Sequence, residues 1–489
     1  MNTMDLFPYS SNNSLLRELA GIWRSVASPP QPAVIPDALR PRHVRIAGDV
    51  GSGKTTLAAL MAFQDAVRGR PVIILDPHQT LITRFLGNVL ARQNHDSLLR
   101  RFVYWPVAGD GGRVHTLPFL DYTTPMTPYA AAQRFLEPCL MAWPYLAEGA
   151  PVFAQVGTAT LMSLYQGGRA SGRHYQITEA LSFLQNNAFR AEVLRQAGAA
   201  ANEARQVFDS SFNQLSVQNQ LARRYSFENK IAPFCLNETL RAVVGADTPS
   251  IRWPDVDSGS QIVAIDLSGL DDEPRLLLTT AILHGLGRYV FSRQPEVCPP
   301  VCLYVDEVSD FLGQRGAAPI FERFASKARK WNLWMTVIQQ QVNQGDVPET
   351  NRLLWTLATQ IIFRQTEYTA ALDAVRNLQE YDAEAVRMPP PAEGRYPMMW
   401  QVSEEERLAA NQLQRLPDRH YCLKVGTHWH PKVQVVPNLD RATVSAPAVT
   451  AAMTAGMAGT RAVSDILAEI ARRTERPGRT ASPPPLEQA

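Results

Sequence analysis

The sequence predicts an α/β protein: a doubly wound core of buried parallel strands with helices, interrupted by an all-helical insertion. Three observations carry this. Short apolar runs rich in valine and isoleucine alternate with helical patterns in the first and last thirds of the chain, the rhythm of a parallel sheet. A glycine-rich turn stands between the first such strand and its helix. Between roughly 126 and 250 those runs disappear, and alanine, glutamine, leucine and arginine recur at helical spacing.

The elements follow in order. Residues 1–40 read as a leader. Leu15, Leu16, Leu19, Ile22 and Trp23 share one face of a helix over 15–26, and a proline-rich linker ends it. A strand over 43–47 enters the glycine-rich loop 48–56, and a helix over 54–68 leaves it. A second strand, 71–75, ends at Asp76-Pro77-His78. A third, 102–105, precedes the turn Gly109-Asp110-Gly111-Gly112. After the helical stretch come a strand over 261–267, a helix over 276–291, a strand over 301–307, a helix over 320–330, and strands over 333–338 and 359–364. Segments 422–426 and 432–436 pair as a closing hairpin. The expected division is a leader and linker (1–40), the first part of the core (41–125), the helical insertion (126–255), the second part of the core (256–438), and a flexible tail with one short helix, 463–471 (439–489).

Composition narrows the class. The chain has 489 residues, 45% hydrophobic and 19% charged, with a formal net charge of +2, so it can bury a large core. Near-neutrality neither announces nor excludes a nucleic-acid partner. The five cysteines, at 139, 235, 298, 302 and 422, form no disulfide framework, which points to a reducing compartment. Cys422, His428 and His430 have no second ligand pair beside them and read as strand and loop residues. No apolar run reaches the eighteen residues of a membrane helix, and the start lacks the features of a signal peptide. The expected location is cytoplasmic, with no transmembrane segment.

The chemistry concentrates in a few places. Gly48-Asp49-Val50-Gly51-Ser52-Gly53-Lys54-Thr55-Thr56 fits G-x-x-x-x-G-K-[ST], with a strand before it and a helix after it. Such a loop cradles phosphate oxygens on backbone N–H groups and at the helix N-terminus. Lys54 reaches the β- and γ-phosphates, and Thr55 ligates Mg²⁺. The implied ligand is ATP with Mg²⁺. The strand over 301–305 ends in Asp306-Glu307, an acid to hold the Mg²⁺ shell followed by one to polarise an attacking water. Next, Ala328-Arg329-Lys330-Trp331 precedes a strand that ends in Gln339-Gln340-Gln341. An amide there can sense the γ-phosphate, while Arg329 and Lys330 also suit a solvated helix end. His78 either touches a phosphate or caps the next helix, and the cap is favoured. Arg364 at a strand end is either a plain surface arginine or one aimed at a neighbour's γ-phosphate.

Together these residues resemble the HerA/FtsK superfamily of hexameric DNA-pumping ATPases, closest to soluble relatives of the conjugative coupling ATPases of type IV secretion systems. The likeness spans roughly 43–435. Asp76-Pro-His-Gln-Thr-Leu stands where that family has Asp-Pro-His-Gly-Asp-Leu, and Asn229-Lys-Ile-Ala-Pro-Phe, the Asp-Glu strand, Ala-Arg-Lys-aromatic and Thr369-Ala-Ala-Leu-Asp also match. The resemblance implies a RecA-like P-loop NTPase core and a homohexamer that drives DNA through its pore. It implies Arg329 as an arginine finger offered to the adjacent subunit, Gln340 as γ-phosphate sensor and Arg364 as a second trans-acting candidate. It brings a relaxase, a nuclease or a secretion-system component as partner. The membrane-bound members start with transmembrane helices, which this sequence lacks. Two rivals remain open: a HerA-type helicase or translocase serving a nuclease, and a nucleotide switch or scaffold that moves no DNA.

Overall fold

The computed structural model describes residues 35–92, 94–146, 151–212, 214–312, 317–343, 348–378, 386–387, 398–399, 401–429, 433–436 and 444–474. The expected helix over 15–26, most of its linker, and His430 lie outside them. The chain divides into two units. One comprises Met1–Trp105, Trp253–Gly269 and Leu278–Ala458; the other comprises Pro106–Arg252, Leu270–Leu277 and Gly459–Ala489.

The first unit is built on a ten-stranded sheet. Its strands are β1 (Val44–Ala47), β2 (Val72–Asp76), β3 (Phe102–Pro106), and, past the two-residue β4 (Arg113–Val114) of the other unit, β5 (Ile262–Asp266), β6 (Val301–Val305), β7 (Leu333–Gln339) and β8 (Thr359–Phe363). A separate small ladder joins β9 (Val386–Arg387) to β10 (Met398–Met399), and the sheet closes with β11 (His420–Val425), β12 (His428–Trp429) and β13 (Gln434–Val435). The order is β12-β11-β8-β1-β7-β6-β2-β5-β3, with β13 also on β11. The β8-β1-β7-β6-β2-β5 run is parallel. β11 lies antiparallel to both β8 and β13, so the expected closing hairpin forms.

The apolar runs are strands because they are buried on both faces, as parallel strands must be. β1 shows the alternation. Val44 and Ile46 enter a core with helix α1 (Lys54–Val67) and helix α2 (Thr80–Leu90). Ala47 faces a second core with Ile362, Ala370, Ala374 and Cys422. β1 sits between β7 and β8, so the loop that follows it opens at the carboxyl edge beside two strand ends at once.

The second unit is helical over the insertion. Helices α3 (Pro128–Ala142), α4 (Pro151–Ser171), α5 (Ala180–Gln185), α6 (Asn187–Ala197), α7 (Val217–Leu236) and α8 (Glu238–Gly245) pack on aromatic side chains. Phe227 meets Phe153 at 5.6 Å and Phe135 at 6.1 Å between ring centroids. Gly157 lets α4 approach them: a Cβ there would stand 2.8 Å from Leu136 and 2.9 Å from Phe227.

Residues 439–489 were expected as a flexible tail with one short helix, yet their described part carries two. Within the first unit, Ala446–Gly456 buries Val449, Ala452 and Met453 in the same core as Phe102. Within the second, Val463–Thr474 buries Ile466 and Ile470, and Arg473 donates to the carbonyl of Gly245 at 2.6 Å. The Ala/Thr/Gly composition that suggests a flexible tail here serves close helix packing.

Candidate nucleotide site

All of the candidate site residues lie in the first unit. The loop 48–53 follows β1 and ends where α1 begins at Lys54. Its glycines do distinct jobs. Gly51 and Gly53 have φ of 81° and 110°, the region that glycine enters without strain. Gly48 has no room for a side chain, since a Cβ would stand 2.4 Å from the Cβ of Phe363. Lys54, Thr55 and Thr56 open α1, so their N–H groups lack intrahelical acceptors and face an incoming anion.

The loop is held from three directions. Gly48 N donates to the carbonyls of Gln339 and Gln340 at the end of β7, at 3.3 and 3.1 Å. At the end of β8, Asp49 N donates to Arg364 O at 2.9 Å, and the Asp49 carboxylate accepts from Thr366 N at 2.7 Å and from the Thr366 hydroxyl. Ahead of β11, Arg419 N donates to Ser52 O at 2.7 Å, with Arg419 at a φ of 67°. Val50 at the tip is 75% exposed.

The catalytic candidates from β6 and β7 meet here. Asp306 is buried at the end of β6 and accepts from Thr80 Oγ1 at 3.4 Å. Burial first, then the nearby Asp76 and Glu307 carboxylates, push its carboxyl up to about 7. Glu307 follows in left-handed backbone at φ 46°, a conformation that costs a non-glycine residue energy and turns its side chain out of the strand direction. Gln340 Nε2 donates to Glu307 Oε1 at 3.0 Å. Lys54 donates to Asp49 O at 2.9 Å. Burial lowers its ammonium pKa, while Glu307, Asp306 and Asp49 oppose that shift. The side chains of Lys54, Asp306, Glu307 and Gln340, remote in sequence, thus surround one loop. Thr55 is half-buried at the start of α1, and the Thr56 hydroxyl accepts from Arg84 at 2.8 Å.

The two arginines are placed differently. Arg329 is exposed in the short turn Ala328–Trp331 before β7. The seven residues of β7 put it roughly 23 Å from its own loop, so it does not join the site of its own chain. Arg364 stands beside the loop: Nη1 lies 2.7 Å from Asp418 Oδ1 and Nε 3.8 Å from Asp49 Oδ2. It neighbours its own loop rather than projecting away from it.

His78 is not the cap of the next helix, contrary to expectation. Its ring is exposed, and Asp76 takes that part: Oδ2 accepts from Ile82 N and Oδ1 from His78 N, both at 3.0 Å. A strand-end aspartate a few residues ahead of a helix is a local signal that could have shown this. Asp76 is paired in register with Asp266 on β5, which accepts from Tyr104 OH at 2.6 Å and Gln79 Nε2 at 2.9 Å. The roles of Thr366 and Arg419 had no such signal, because each lies over 300 residues beyond the loop it holds; Asp418 acts one step further out, on Arg364.

This sheet order and this strand–loop–helix define a RecA-like P-loop core carrying a helical insertion. No protein-family model matches the chain and no curated protein matches it in sequence. Solved structures do match. The bacterial conjugative coupling protein TrwBΔN70, in its unbound monoclinic form, superposes with a TM-score of 0.60 at 16% identity, covering 86% of this chain and 92% of that one. TrwB with ADP and Mg²⁺ gives 0.56 at 14% identity, covering 85% and 90%. TrwB with the non-hydrolysable ATP analogue ADPNP gives 0.55 at 15%, covering 85% and 91%. At such identities the likeness is one of fold. Among the described residues no helix is long and apolar enough to cross a membrane.

Proposed function

We propose that this chain is an ATP-hydrolysing motor that moves DNA, working as a homohexameric ring with its sites between subunits. The observation that carries the reading is the meeting of Lys54, Asp306, Glu307 and Gln340 around a P-loop in which Gly48 has no room for a side chain and Gly51 and Gly53 take positive φ. The shared fold supports it, since a structure of that fold is described as binding ADP with Mg²⁺ and another as binding an ATP analogue.

The residues fit the ligand. The backbone N–H groups of Val50, Gly51 and Gly53 through Thr56 bind the phosphates, those of Gly48, Asp49 and Ser52 being spent on holding the loop, with Lys54 at the β- and γ-phosphates. The Thr55 hydroxyl and the Asp306 carboxylate are the oxygen donors that would hold Mg²⁺, which when bound neutralises phosphate charge. Glu307 accepts the proton of the attacking water, and Gln340, hydrogen-bonded to Glu307, is within reach of a γ-phosphate as sensor. Arg329, far from its own loop and exposed, is available to a neighbour's nucleotide, where a guanidinium stabilises transferring charge. Arg364, against Asp49 and Asp418, acts on the nucleotide of its own chain. DNA contact would run through backbone phosphates and be salt-sensitive. The partner would be a relaxase or secretion component, or a nuclease in a HerA-type setting.

The test is ATP turnover with and without DNA, for the native chain, Lys54→Ala and Glu307→Gln, with electron microscopy on DNA and a non-hydrolysable nucleotide. DNA-stimulated turnover in rings supports the motor. Turnover indifferent to DNA, with no ring, selects a nucleotide switch. Full activity in both variants would refute the site.

A further inference from the structure

Arg45 is the anomaly of the core. It lies in β1 between Val44 and Ile46, three residues before Gly48, and is fully buried. Among the described residues no carboxylate pairs with it, and burial alone lowers its guanidinium to about 9. Its Nε and Nη1 have no hydrogen-bond partner among the described residues. A buried charge without a counter-charge burdens a fold, and a well-packed apolar residue of similar volume would burden it less. A position that breaks the packing rule in this way points to a function served there.

Two contacts say what that is. The guanidinium stacks on Trp355, 4.2 Å from the ring centroid, and Nη2 donates to the carbonyl of Val342 at 2.5 Å. Val342 N donates in turn to Oε1 of Gln365, itself fully buried, at 3.2 Å. Both backbone groups of Val342 are therefore held by buried side chains. The turn 339–342 that they anchor carries Gln340, and its other end receives the N–H of Gly48. β1 thus grips this turn twice, through Gly48 on the nucleotide side and through Arg45 behind it.

We infer that Arg45 is a positioning residue: it fixes the turn 339–342 by the Val342 carbonyl and so keeps the Gln340 amide aligned with the Glu307 carboxylate. The inference rests on Gln340 and Glu307 being the hydrolytic pair proposed above. Arg45 touches no reacting atom, so its loss should lower kcat and leave nucleotide affinity alone. Lysine keeps a cation and a donor but loses the planar fork and its stack, so Arg45→Lys should fall between.

The full chain is compared with R45M, R45K, Q340A and the double variant R45M/Q340A. Measured are the thermal midpoint, Kd for a fluorescent non-hydrolysable ATP analogue, and kcat. Expected for R45M are a midpoint equal to or above the native one, Kd within twofold, and kcat down at least tenfold. R45K should lose about three- to tenfold in kcat, and R45M/Q340A should be no slower than Q340A. Unchanged kcat in R45M overturns the inference, as does a joint fall of midpoint, affinity and kcat, the mark of a merely structural residue. If R45M yields no folded protein, R45K decides: native kcat overturns the inference, and reduced kcat at native Kd supports it. Full turnover in Q340A would instead remove the reading beneath. An impaired Q340A beside a fully active R45M removes the Arg45 inference alone.

Discussion

His43 gives the stability of the first unit a pH dependence that can be worked from its contacts. The ring is 1% exposed at the entry to β1. Met335 N donates to Nδ1 at 3.2 Å, which makes Nδ1 an acceptor, and Nε2 lies 3.0 Å from Phe324 O, which makes Nε2 the donor. Both nitrogens are satisfied in one neutral tautomer, and burial lowers the ring's pKa from 6.5 to about 4. The unfolded chain takes up a proton near pH 6.5 while the folded chain refuses it until about 4. Between those values the unfolded state binds more protons, so stability is present above pH 6.5 and is lost as pH falls through the window. A shift of this size corresponds to about 3 kcal/mol. The assay is urea unfolding at pH 7.5, 6 and 4, for the native chain and His43→Leu. Leucine takes the ring acceptor from Met335 N at every pH, while Phe324 O keeps the N–H of Ala328, so the constant cost is about 1–3 kcal/mol for one buried group. The native advantage over His43→Leu should therefore shrink by about 3 kcal/mol between pH 7.5 and 4. A difference that stays constant with pH would refute the neutral buried tautomer.

Other outcomes follow from the site. Glu307→Gln should bind nucleotide as tightly as the native chain but turn over roughly 10²–10⁴-fold more slowly, read by comparing Kd with kcat; equal losses in both would argue against a base. Gly48→Ala should abolish nucleotide binding and cost about 1–3 kcal/mol from overpacking. Phe363→Ala should not rescue it, because the opposing atom is the Cβ of Phe363. In mixtures with native subunits, the proposed roles require Arg329→Ala, acting on a neighbour, to depress turnover more than in proportion to its share, and Arg364→Ala, acting on its own loop, to depress it in proportion. Arg293→Met should resemble Arg329→Ala in kcat: Arg293 donates to the carbonyl of Trp331 and to Asp257 at 3.0 Å, steadying the turn that presents Arg329.

The sequence made the sheet legible where strands are buried on both faces and punctuated by glycine or proline. Runs such as 72–76 and 301–305 leave no helical alternative of adequate length. The nucleotide loop was legible because its chemistry is contiguous. What stayed hidden is non-contiguous. Thr366 holding Asp49, Arg419 holding Ser52 and Arg45 holding Val342 are bonds between segments that meet only once β1 is seated between β7 and β8. The exchange of His78 for Asp76 has another cause. Both residues sit in one short motif, and the geometry of a strand-end carboxylate decides which one reaches the helix N–H groups.

The seating of β1 has a consequence for how the chain is made. Its strand partners begin at Leu333 and Thr359, roughly 290 residues or more after Ala47. At about 5–20 residues per second, a ribosome delivers them on the order of 15–60 s later. For that interval the P-loop is a sequence without a shape, since Gly48 has neither the carbonyls that receive its N–H nor the end of β8, at Phe363, against which it packs. The intervening helices over 128–245 can form while the strand waits, because helices rest largely on local contacts, although their unit is completed only when the helix Val463–Thr474 arrives. Nucleotide binding thus reports completion of the whole sheet: a fragment released before Leu333 should hold every residue of the motif and retain no nucleotide.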